Sequence, residues 1–311
     1  MISNTFTRKL EQSIRTKILY NEQLSTHTTF KIGGPAQYFA EIEDSRDLIS
    51  VLELCKSFKI PFFILGGGSN LLVSDKGFQG VVVRLKAKDV KLIDDDTIKV
   101  DAGCVLSELV NFCAKKGLSG LENLAGIPGT VGGAVVGNAG ALGDETGTKV
   151  KKVEVIDLLD LEVKTLQRKD LKFDYKESSL AGKFVVLKIW LELKKGNSEE
   201  LLKIIEENIQ KRIESQPYEF PSAGCIFKNI SKDKKEELDI PTCSAGYLID
   251  QCGLKGKKIG GAQISEKHAN FIVNTGSAKA EDVLNLIDIC KEKIKSKFNI
   301  NLKEEIKFVG F

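Results

Sequence analysis

The sequence predicts an α+β fold, and three observations support this prediction. Segments with apolar residues at helical spacing are mixed with short runs of β-branched and aromatic residues, which are typical of strands. Residues 151–193 consist mainly of such strands, and a long helical segment follows them. Glycine-rich segments at 66–70 and 126–141 interrupt the first half of the chain, where they predict tight turns or ligand-binding loops.

The composition is that of a water-soluble globular protein of two or three domains. The 311 residues are 42% hydrophobic and 29% charged, with a formal net charge of +3. That charge is too small to indicate nucleic-acid binding, and mixed runs such as 232–237 are typical of a solvated surface. The sequence has no secretory signal pattern and no apolar run of the roughly 20 residues that a membrane helix needs. We therefore expect a cytoplasmic protein with neither a membrane nor a nucleic-acid partner.

The cysteines and histidines predict neither a metal site nor a disulfide framework. Seven cysteines occur without a C-x-x-C pair, and the only histidines are His27 and His268. A lone cysteine usually serves as a small buried hydrophobic residue. We expect this role for Cys55, Cys104, Cys113, Cys243, Cys252 and Cys290.

Helices and strands follow in order along the chain. Asp44 can cap a helix that ends at Lys59, with Leu48 and Leu52 on its apolar stripe. The other predicted helices cover 106–116, closed by Gly117, then Asn197 or Ser198 to just before Pro217, and a last segment carrying Val283, Ile287, Cys290 and Ile294. The predicted strands are 62–65, 81–83, 98–100, 153–156, 162–166, 184–193 and 271–273. A domain boundary is expected near residues 195–205.

The two glycine-rich segments predict one site for a phosphate-bearing ligand, because glycine lets backbone N–H groups approach an anion. Tight turns explain such clusters equally well from the residues alone. The chain has no G-x-x-x-x-G-K-[ST] loop, and Gly66–Gly68 lacks the G-x-G-x-x-G spacing and a helix behind it. We expect turn backbone, rather than a helix dipole, to hold the phosphate in an α+β enzyme that binds a nucleotide-like ligand.

An ordered set of motifs covers nearly the whole chain. The motifs lie at 27–36, 65–72, 120–133, 221–229, 253–256, 260–274 and 305–310. In this order they closely resemble the UDP-N-acetylenolpyruvoylglucosamine reductase family, in the short form that lacks an inserted tyrosine loop. The resemblance implies a two-subdomain FAD-binding fold of the vanillyl-alcohol-oxidase type, followed by an α+β substrate-binding domain. It implies FAD-binding subdomains at 1–86 and 87–198 and a substrate domain at 199–311, whose last strand, carrying Glu305, packs back on the FAD-binding part.

The resemblance also implies a reaction. The family reduces UDP-N-acetylglucosamine enolpyruvate to UDP-N-acetylmuramate for peptidoglycan, with NADPH as reductant and hydride passing from flavin N5 to the enolpyruvyl methylene carbon. Cys225 takes the position of the usual serine proton donor, and Glu305 matches the catalytic glutamate. Lys176 replaces the usual arginine, so it keeps the positive charge that stabilises the developing enolate but loses the bidentate fork.

The remaining implied site residues fall into two groups. The cofactor-binding residues are Gly66, Gly67, Gly68, Ser69, Asn70, Leu71, Gly126, Ile127, Pro128, Gly129, Thr130, Gly132, Gly133, Asn138, Ala139 and Gly140. The substrate-binding residues are Tyr175, Lys228, Asn229, Lys267 and His268, and we expect His268 to hydrogen-bond rather than act as a base. The oligomeric state is open, and a monomer is compatible with the sequence.

Two other functions are weighed against this one. Another flavin oxidase or dehydrogenase of the same fold is disfavoured by the 225–229 motif and by Glu305. A non-catalytic nucleotide-binding relative is favoured by one feature only, the lysine at position 176.

Overall fold

The computed structural model describes residues 4–311 and divides them into two compact units. Unit 1 consists of residues up to Asn21, Gln37–Gly67 and Gly80–Arg212. Unit 2 consists of Glu22–Ala36, Gly68–Gln79 and Ile213–Phe311. Two segments of the first 86 residues therefore group with the C-terminal third of the chain.

Helices and strands are interspersed along the whole described chain, as an α+β fold requires. The helices are α1 (Asn4–Ser13), α2 (Ser45–Phe58), α3 (Leu106–Lys115), α4 (Val131–Val136), α5 (Ser198–Ser215), α6 (Lys232–Glu237), α7 (Ala245–Gln251) and α8 (Ala280–Phe298). The strands are β1 (Ile18–Gln23), β2 (Pro35–Ile42), β3 (Phe62–Leu65), β4 (Leu71–Val73), β5 (Phe78–Leu85), β6 (Val90–Leu92), β7 (Thr97–Asp101), β8 (Leu118–Ser119), β9 (Gly140–Ala141), β10 (Asp144–Glu145), β11 (Val150–Asp157), β12 (Val163–Gln167), β13 (Phe173–Asp174), β14 (Glu177–Ser178), β15 (Phe184–Glu192), β16 (Lys194–Lys195), β17 (Ser222–Cys225), β18 (Lys258–Ile259), β19 (Ala262–Ile264), β20 (Phe271–Asn274) and β21 (Lys307–Val309).

The predicted helix at 44–59 is confirmed, together with its end signals. The carboxylate of Asp44 accepts a hydrogen bond from the Arg46 N–H, and Lys59 ends the helix in the left-handed conformation. The long predicted helix is confirmed as α5, where the side-chain oxygen of Asn197 accepts from the N–H groups of Glu199 and Glu200. The polar residues that suggested helix ends in the sequence therefore act as caps.

Unit 1 contains two hydrophobic cores. A five-stranded sheet in the order β12-β11-β15-β7-β6 packs with α3 and α4 around buried residues such as Val153 and Leu109. The other core lies between α1, α2 and strands that include β2 and β5. Each predicted strand between 62 and 193 coincides with an observed strand, and only those at 162–166 and 184–193 extend beyond it, by one residue each.

Unit 2 is built on the antiparallel sheet β17-β20-β19-β18, with α7 and α8 contributing to its core. The predicted apolar face of α8 is confirmed, since Val283, Ile287, Cys290 and Ile294 are all buried. Strand β21 pairs in parallel with β4. It begins at Lys307, so Glu305 precedes the last strand instead of lying within it.

Within residues 4–311, no helix combines the length and apolar character required to cross a membrane.

Candidate active site

The sequence-predicted site residues are distributed over both units. Unit 1 holds Gly66, Gly67, the predicted residues between 126 and 140, Tyr175 and Lys176. Unit 2 holds Gly68, Ser69, Asn70, Leu71, Cys225, Lys228, Asn229, Lys267, His268 and Glu305.

In unit 1 the two glycine-rich segments lie against each other. A Cβ atom on Gly67 would lie only 2.5 Å from the Cα of Gly129. A Cβ on Gly66 would lie 2.9 Å from the Thr130 hydroxyl. Because no ordinary side chain fits at these contacts, glycine allows the two backbones to meet. The structure therefore brings the two segments together, as one ligand held by both would require.

The second segment continues into the short helix α4, which the sequence analysis did not predict. Thr130 caps this helix, with its hydroxyl accepting from the Gly133 N–H at 3.3 Å. Gly132 is buried, and its N–H donates to the Ala102 carbonyl at 2.9 Å. Gly133 is exposed, and a Cβ there would meet only the Thr130 hydroxyl, at 3.4 Å. Packing within the protein thus requires glycine at 132 but leaves space at 133.

Asn138 follows α4 and is fully buried, in the left-handed conformation with φ of 44°. Its side-chain oxygen accepts from the Gly147 N–H at 2.9 Å. Its amide nitrogen donates to the Glu145 carboxylate and to the Asp174 carbonyl, each at 2.8 Å. Because both amide hydrogens are used within the protein, the side chain of Asn138 is a structural junction.

Lys176 lies at the turn of a short hairpin formed by β13 and β14, which we call the Lys176 hairpin (residues 173–178). Its φ is 58°, and its ammonium group lies 3.4 Å from the Gly140 carbonyl. The neighbouring Tyr175 is 47% exposed. The hydroxyl of Ser178 donates to the Val136 carbonyl at 2.6 Å. The predicted cation therefore lies next to the end of the second glycine segment.

In unit 2, Cys225 ends strand β17 immediately after a break in strand register. Ser222 pairs with Val273 and Cys225 with Phe271, so one extra residue is accommodated between the two pairs on the β17 side. Gly224 has a φ of 78°, which glycine adopts without strain. The thiol is half-buried and is not in a disulfide.

Glu305 is joined through its backbone to Ile226, the residue that directly follows Cys225, although the two segments are remote in the sequence. The Glu305 N–H donates to the carbonyl of Ile226 at 2.7 Å. The carbonyl of Glu305 in turn accepts from the Asn70 side-chain amide at 3.1 Å. The adjacent carboxylate of Glu304 instead pairs with the Lys291 ammonium at 2.8 Å. The structure thus distinguishes two neighbouring acids that the sequence could not.

Asn270 holds the backbone next to a candidate residue, and the sequence analysis did not single it out. It is 3% exposed, and its side chain forms hydrogen bonds with both the N–H and the carbonyl of Phe227, at 3.0 and 2.8 Å. Its own carbonyl accepts from the Ile226 N–H at 2.8 Å. Asn270 thereby fixes the backbone that directly follows Cys225. The signal was present, since Asn270 lies inside the 260–274 motif, but its partners lie 43 positions away.

His268 lies in a structural environment that opposes its positive charge. Burial lowers the pKa of its imidazole. Its Nδ1 atom accepts from the Asn270 N–H at 3.2 Å, and its ring packs edge-on against Phe271. The neighbouring Lys267 is exposed and donates to the Ile213 carbonyl at 2.6 Å.

Lys228 and Asn229, the two remaining candidates in unit 2, follow shortly after Cys225 in the sequence. The Lys228 N–H donates to the Lys303 carbonyl at 2.9 Å. The side-chain oxygen of Asn229 accepts at 3.1 Å from the N–H of Ala245, the first residue of α7. These contacts join the end of the 225–229 segment to Lys303 and to the start of α7.

Most other cysteines occupy apolar interiors, as expected. Burial raises the pKa of the thiols of Cys55, Cys113 and Cys290 to about 12 and that of Cys104 to about 11. Such thiols remain protonated and unreactive near neutral pH. Cys243 and Cys252 are half-buried.

Comparison with known proteins identifies the class. Residues 36–165 match the model of the FAD binding domain. The paired glycine segments fit such a cofactor, because glycine leaves the exposed face at Gly133 without a side chain and so gives a pyrophosphate room to approach the backbone. The fold and the site therefore define an FAD-dependent oxidoreductase.

The particular family follows from the rest of the chain. Residues 216–309 match the UDP-N-acetylenolpyruvoylglucosamine reductase C-terminal domain. The chain is 46% identical to the UDP-N-acetylenolpyruvoylglucosamine reductase of Caldanaerobacter subterraneus over 97% of each chain. It is 41% identical to that of Heliobacterium modesticaldum over 97% of this chain and 94% of the other. The crystal structure of this reductase from Thermus caldophilus aligns with a TM-score of 0.77 and 36% identity, covering 95% of this chain and 99% of the other. The chain belongs to the UDP-N-acetylenolpyruvoylglucosamine reductase family.

Proposed function

We propose that this protein uses NADPH to reduce UDP-N-acetylglucosamine enolpyruvate to UDP-N-acetylmuramate, in the cytoplasmic synthesis of a peptidoglycan precursor. The observation that carries the proposal is the backbone hydrogen bond between Glu305 and Ile226, the residue after Cys225, in a chain of this family. When hydride adds to an enol ether, the protein must donate one proton and must stabilise the negative charge that develops.

Bound FAD would supply the redox chemistry, accepting electrons from NADPH and delivering hydride from N5 to the enolpyruvyl methylene carbon. The paired segments at Gly66–Gly67 and Gly129–Gly133 would hold its pyrophosphate, and Ser69, Asn70, Leu71, Ala139 and Gly140 would contribute further contacts. Asn138 would not contribute a side-chain contact, because this side chain is buried and both of its amide hydrogens are used within the protein. The FAD-binding part would occupy the first 198 residues, and the remainder would form the substrate domain.

The protein would supply one proton and stabilise negative charge. Cys225 would protonate the substrate carbon next to the carboxylate. A free thiol has a pKa of about 8.5, so it gives up a proton far more readily than the alkyl hydroxyl of serine. Glu305 would polarise the developing enolate, and Lys176 would balance its charge as a point cation. Tyr175, Lys228, Asn229, Lys267 and His268 would line the substrate site.

The test starts with the purified holoprotein. We expect a yellow protein with a flavin spectrum that oxidises NADPH only slowly alone and rapidly when UDP-N-acetylglucosamine enolpyruvate is added. UDP-N-acetylglucosamine without the enolpyruvyl group serves as the matched control, because it keeps the nucleotide and sugar but lacks the double bond. A colourless protein, or NADPH oxidation that is indifferent to the enolpyruvyl group, would refute the proposal.

A further inference from the structure

Two side chains fasten the Lys176 hairpin to the end of the second glycine segment. On one leg, the Asp174 carbonyl accepts from the buried amide of Asn138 at 2.8 Å. On the other leg, the hydroxyl of Ser178 donates to the carbonyl of Val136 at 2.6 Å. The two attachments flank Lys176 symmetrically, two residues before it and two residues after it. Both end on residues 136–138, at the C-terminal end of α4.

The hairpin has little means of holding its own shape. Each of its strands contains two residues, and an isolated two-stranded hairpin is marginally stable at best in water. Lys176 itself has a φ of 58°, a left-handed conformation that residues other than glycine, asparagine and aspartate seldom adopt. Contacts outside the turn must therefore maintain this conformation, and the two attachments are suitably placed to do so.

Asn138 is well suited to act as a junction. It has its own left-handed conformation, which asparagine tolerates well, and it is fully buried. Its remaining hydrogen bonds, to Glu145 and to the N–H of Gly147, fix it to the loop that follows. A buried side chain with its hydrogen bonds satisfied in one geometry rigidifies its surroundings.

The lysine at position 176 makes this attachment more important. An arginine fork can orient itself on a carboxylate through two parallel hydrogen bonds, whereas an ammonium group on a flexible stem cannot. The position of the positive charge then depends on the backbone that carries the lysine. The contact of the Lys176 ammonium with the Gly140 carbonyl at 3.4 Å places it over the same segment to which the hairpin is fastened.

We propose that Asn138 and Ser178 are positioning residues that set the location of the Lys176 charge relative to the second glycine segment. This inference rests on the proposed function, in which Lys176 stabilises the enolate. It assigns these two residues a role in the substrate-reducing half-reaction and none in the reduction of the flavin by NADPH.

The experiment measures the two half-reactions separately by stopped flow in the FAD-loaded protein. We expect Ser178→Ala to slow reoxidation of the reduced flavin by the enolpyruvyl substrate about tenfold or more. Reduction of the flavin by NADPH and the dissociation constant of FAD should stay within about twofold of the unmodified protein. Ser179→Ala is the matched control, because the Ser179 hydroxyl accepts from the Lys172 N–H at 3.0 Å, at the base of the hairpin. It should leave reoxidation unchanged.

A double-mutant cycle with Lys176→Ala separates positioning from general destabilisation. If Ser178 acts through Lys176, Ser178→Ala should have no further effect on reoxidation once the ammonium group is absent. Additive effects, or unchanged reoxidation in Ser178→Ala, would overturn the proposal.

Asn138→Asp tests the other attachment independently. It keeps the size, the tolerance for left-handed backbone and the acceptor for Gly147, but it can donate to neither Asp174 nor Glu145. Because it also places a carboxylate beside that of Glu145, the flavin content and the urea midpoint are measured together with the kinetics to separate loss of folding from loss of positioning. We expect the same selective slowing of reoxidation and the same dependence on Lys176. Failure of the proposed function itself would be recognised separately, because the unmodified protein would then show no reoxidation by the substrate at all.

Discussion

The candidate residues of the two units are held in place by different means. In unit 1, glycine backbone and left-handed turns dominate, as at Gly67 and Lys176, and the contacting segments all lie between residues 66 and 178. In unit 2, the backbone of Glu305 is hydrogen-bonded to Ile226, the residue after Cys225, so segments remote in sequence are joined. The bond from the Asn70 side chain to the Glu305 carbonyl spans 235 positions.

This difference indicates how each unit should respond to substitution. A position fixed by close backbone approach does not tolerate added volume, while a position fixed by remote hydrogen bonds tolerates a similar side chain of the same polarity. Substitutions in unit 1 should therefore act mainly on cofactor binding and charge placement. Substitutions at Cys225 should act on the chemistry alone, because the backbone around it is held by other residues.

The largest effect is expected at Cys225. Cys225→Ala removes the proposed proton donor, and general acid catalysis by a positioned side chain is worth about a hundredfold to ten thousandfold in rate. We expect overall turnover to fall by about that factor while NADPH still reduces the flavin at the normal rate. Stopped-flow absorbance of the flavin in both half-reactions provides the measurement.

Two variants serve as controls for the Cys225 prediction. Cys225→Ser should restore part of the turnover, because a hydroxyl can also donate a proton. Cys243→Ala removes another half-buried thiol of unit 2 and should leave turnover unchanged. Normal reoxidation in Cys225→Ala would show that the proton comes from elsewhere.

The next effect concerns the paired glycine segments of unit 1. In Gly67→Ala the new methyl group would lie 2.5 Å from the Gly129 Cα, so the two backbones must separate. Overpacking of this kind costs about 1–3 kcal/mol, which corresponds to roughly a 5-fold to 150-fold increase in the FAD dissociation constant if the strain acts on the binding conformation. Fluorescence titration of the apoprotein with FAD measures the change.

Gly133→Ala sharpens this comparison because the protein has room for that methyl group. Its nearest neighbour would be the Thr130 hydroxyl at 3.4 Å, an ordinary contact. Weakened FAD binding in this variant, with unchanged stability of the apoprotein, would indicate that the cofactor itself passes close to Gly133. Unchanged FAD affinity in Gly67→Ala would contradict the importance of the loop contact.

The sequence could predict four of the eight described helices and seven of the 21 described strands, chiefly the longer ones, and only part of the site geometry. The helix at 44–59 carries its own cap at Asp44 and its own apolar stripe, so local physics was sufficient. Helix α4 was missed because its sequence, Val131–Val136, combines β-branched residues with two glycines, all poor helix formers. Hydrogen bonds from its first two N–H groups to the carbonyls of Cys104 and Ala102 stabilise the helix, and helix propensity does not take such contacts with another segment into account.

Pairing across remote segments was equally inaccessible. The motifs contain both Glu304 and Glu305, but only the fold reveals that Lys291 neutralises the former while the backbone of the latter joins Ile226. Asn270 was likewise unremarkable in sequence, since a buried asparagine is identified only by the partners that surround it.

A smaller effect is expected at the Lys176 hairpin. Lys176→Ala removes one charged partner of the enolate, and hydrogen bonds to charged groups contribute about 1.5–3 kcal/mol, so reoxidation should slow by about tenfold or more. Lys176→Arg restores the usual family residue and should react at an unchanged or higher rate. Full activity in Lys176→Ala would remove this residue from the proposed site and would leave unit 1 with cofactor binding alone.

The smallest effect is expected at His268 in unit 2, whose imidazole accepts a hydrogen bond from the Asn270 N–H. Burial lowers the pKa of His268, so the folded protein resists protonation there while the unfolded chain takes up a proton as pH falls through about 6.5. The stability that neutral His268 contributes is therefore complete above about pH 7 and decreases as the solution is acidified. Protonation would also remove the acceptor for the Asn270 N–H.

Urea midpoints measured from about pH 8 to about pH 5 should fall more steeply for the unmodified protein than for His268→Gln, which has no proton to take up in this range. Parallel curves of urea midpoint against pH for the two proteins would mean that His268 titrates equally in the folded and unfolded states. The hydrogen bond from the Asn270 N–H to a neutral imidazole would then contribute nothing to the pH dependence of stability.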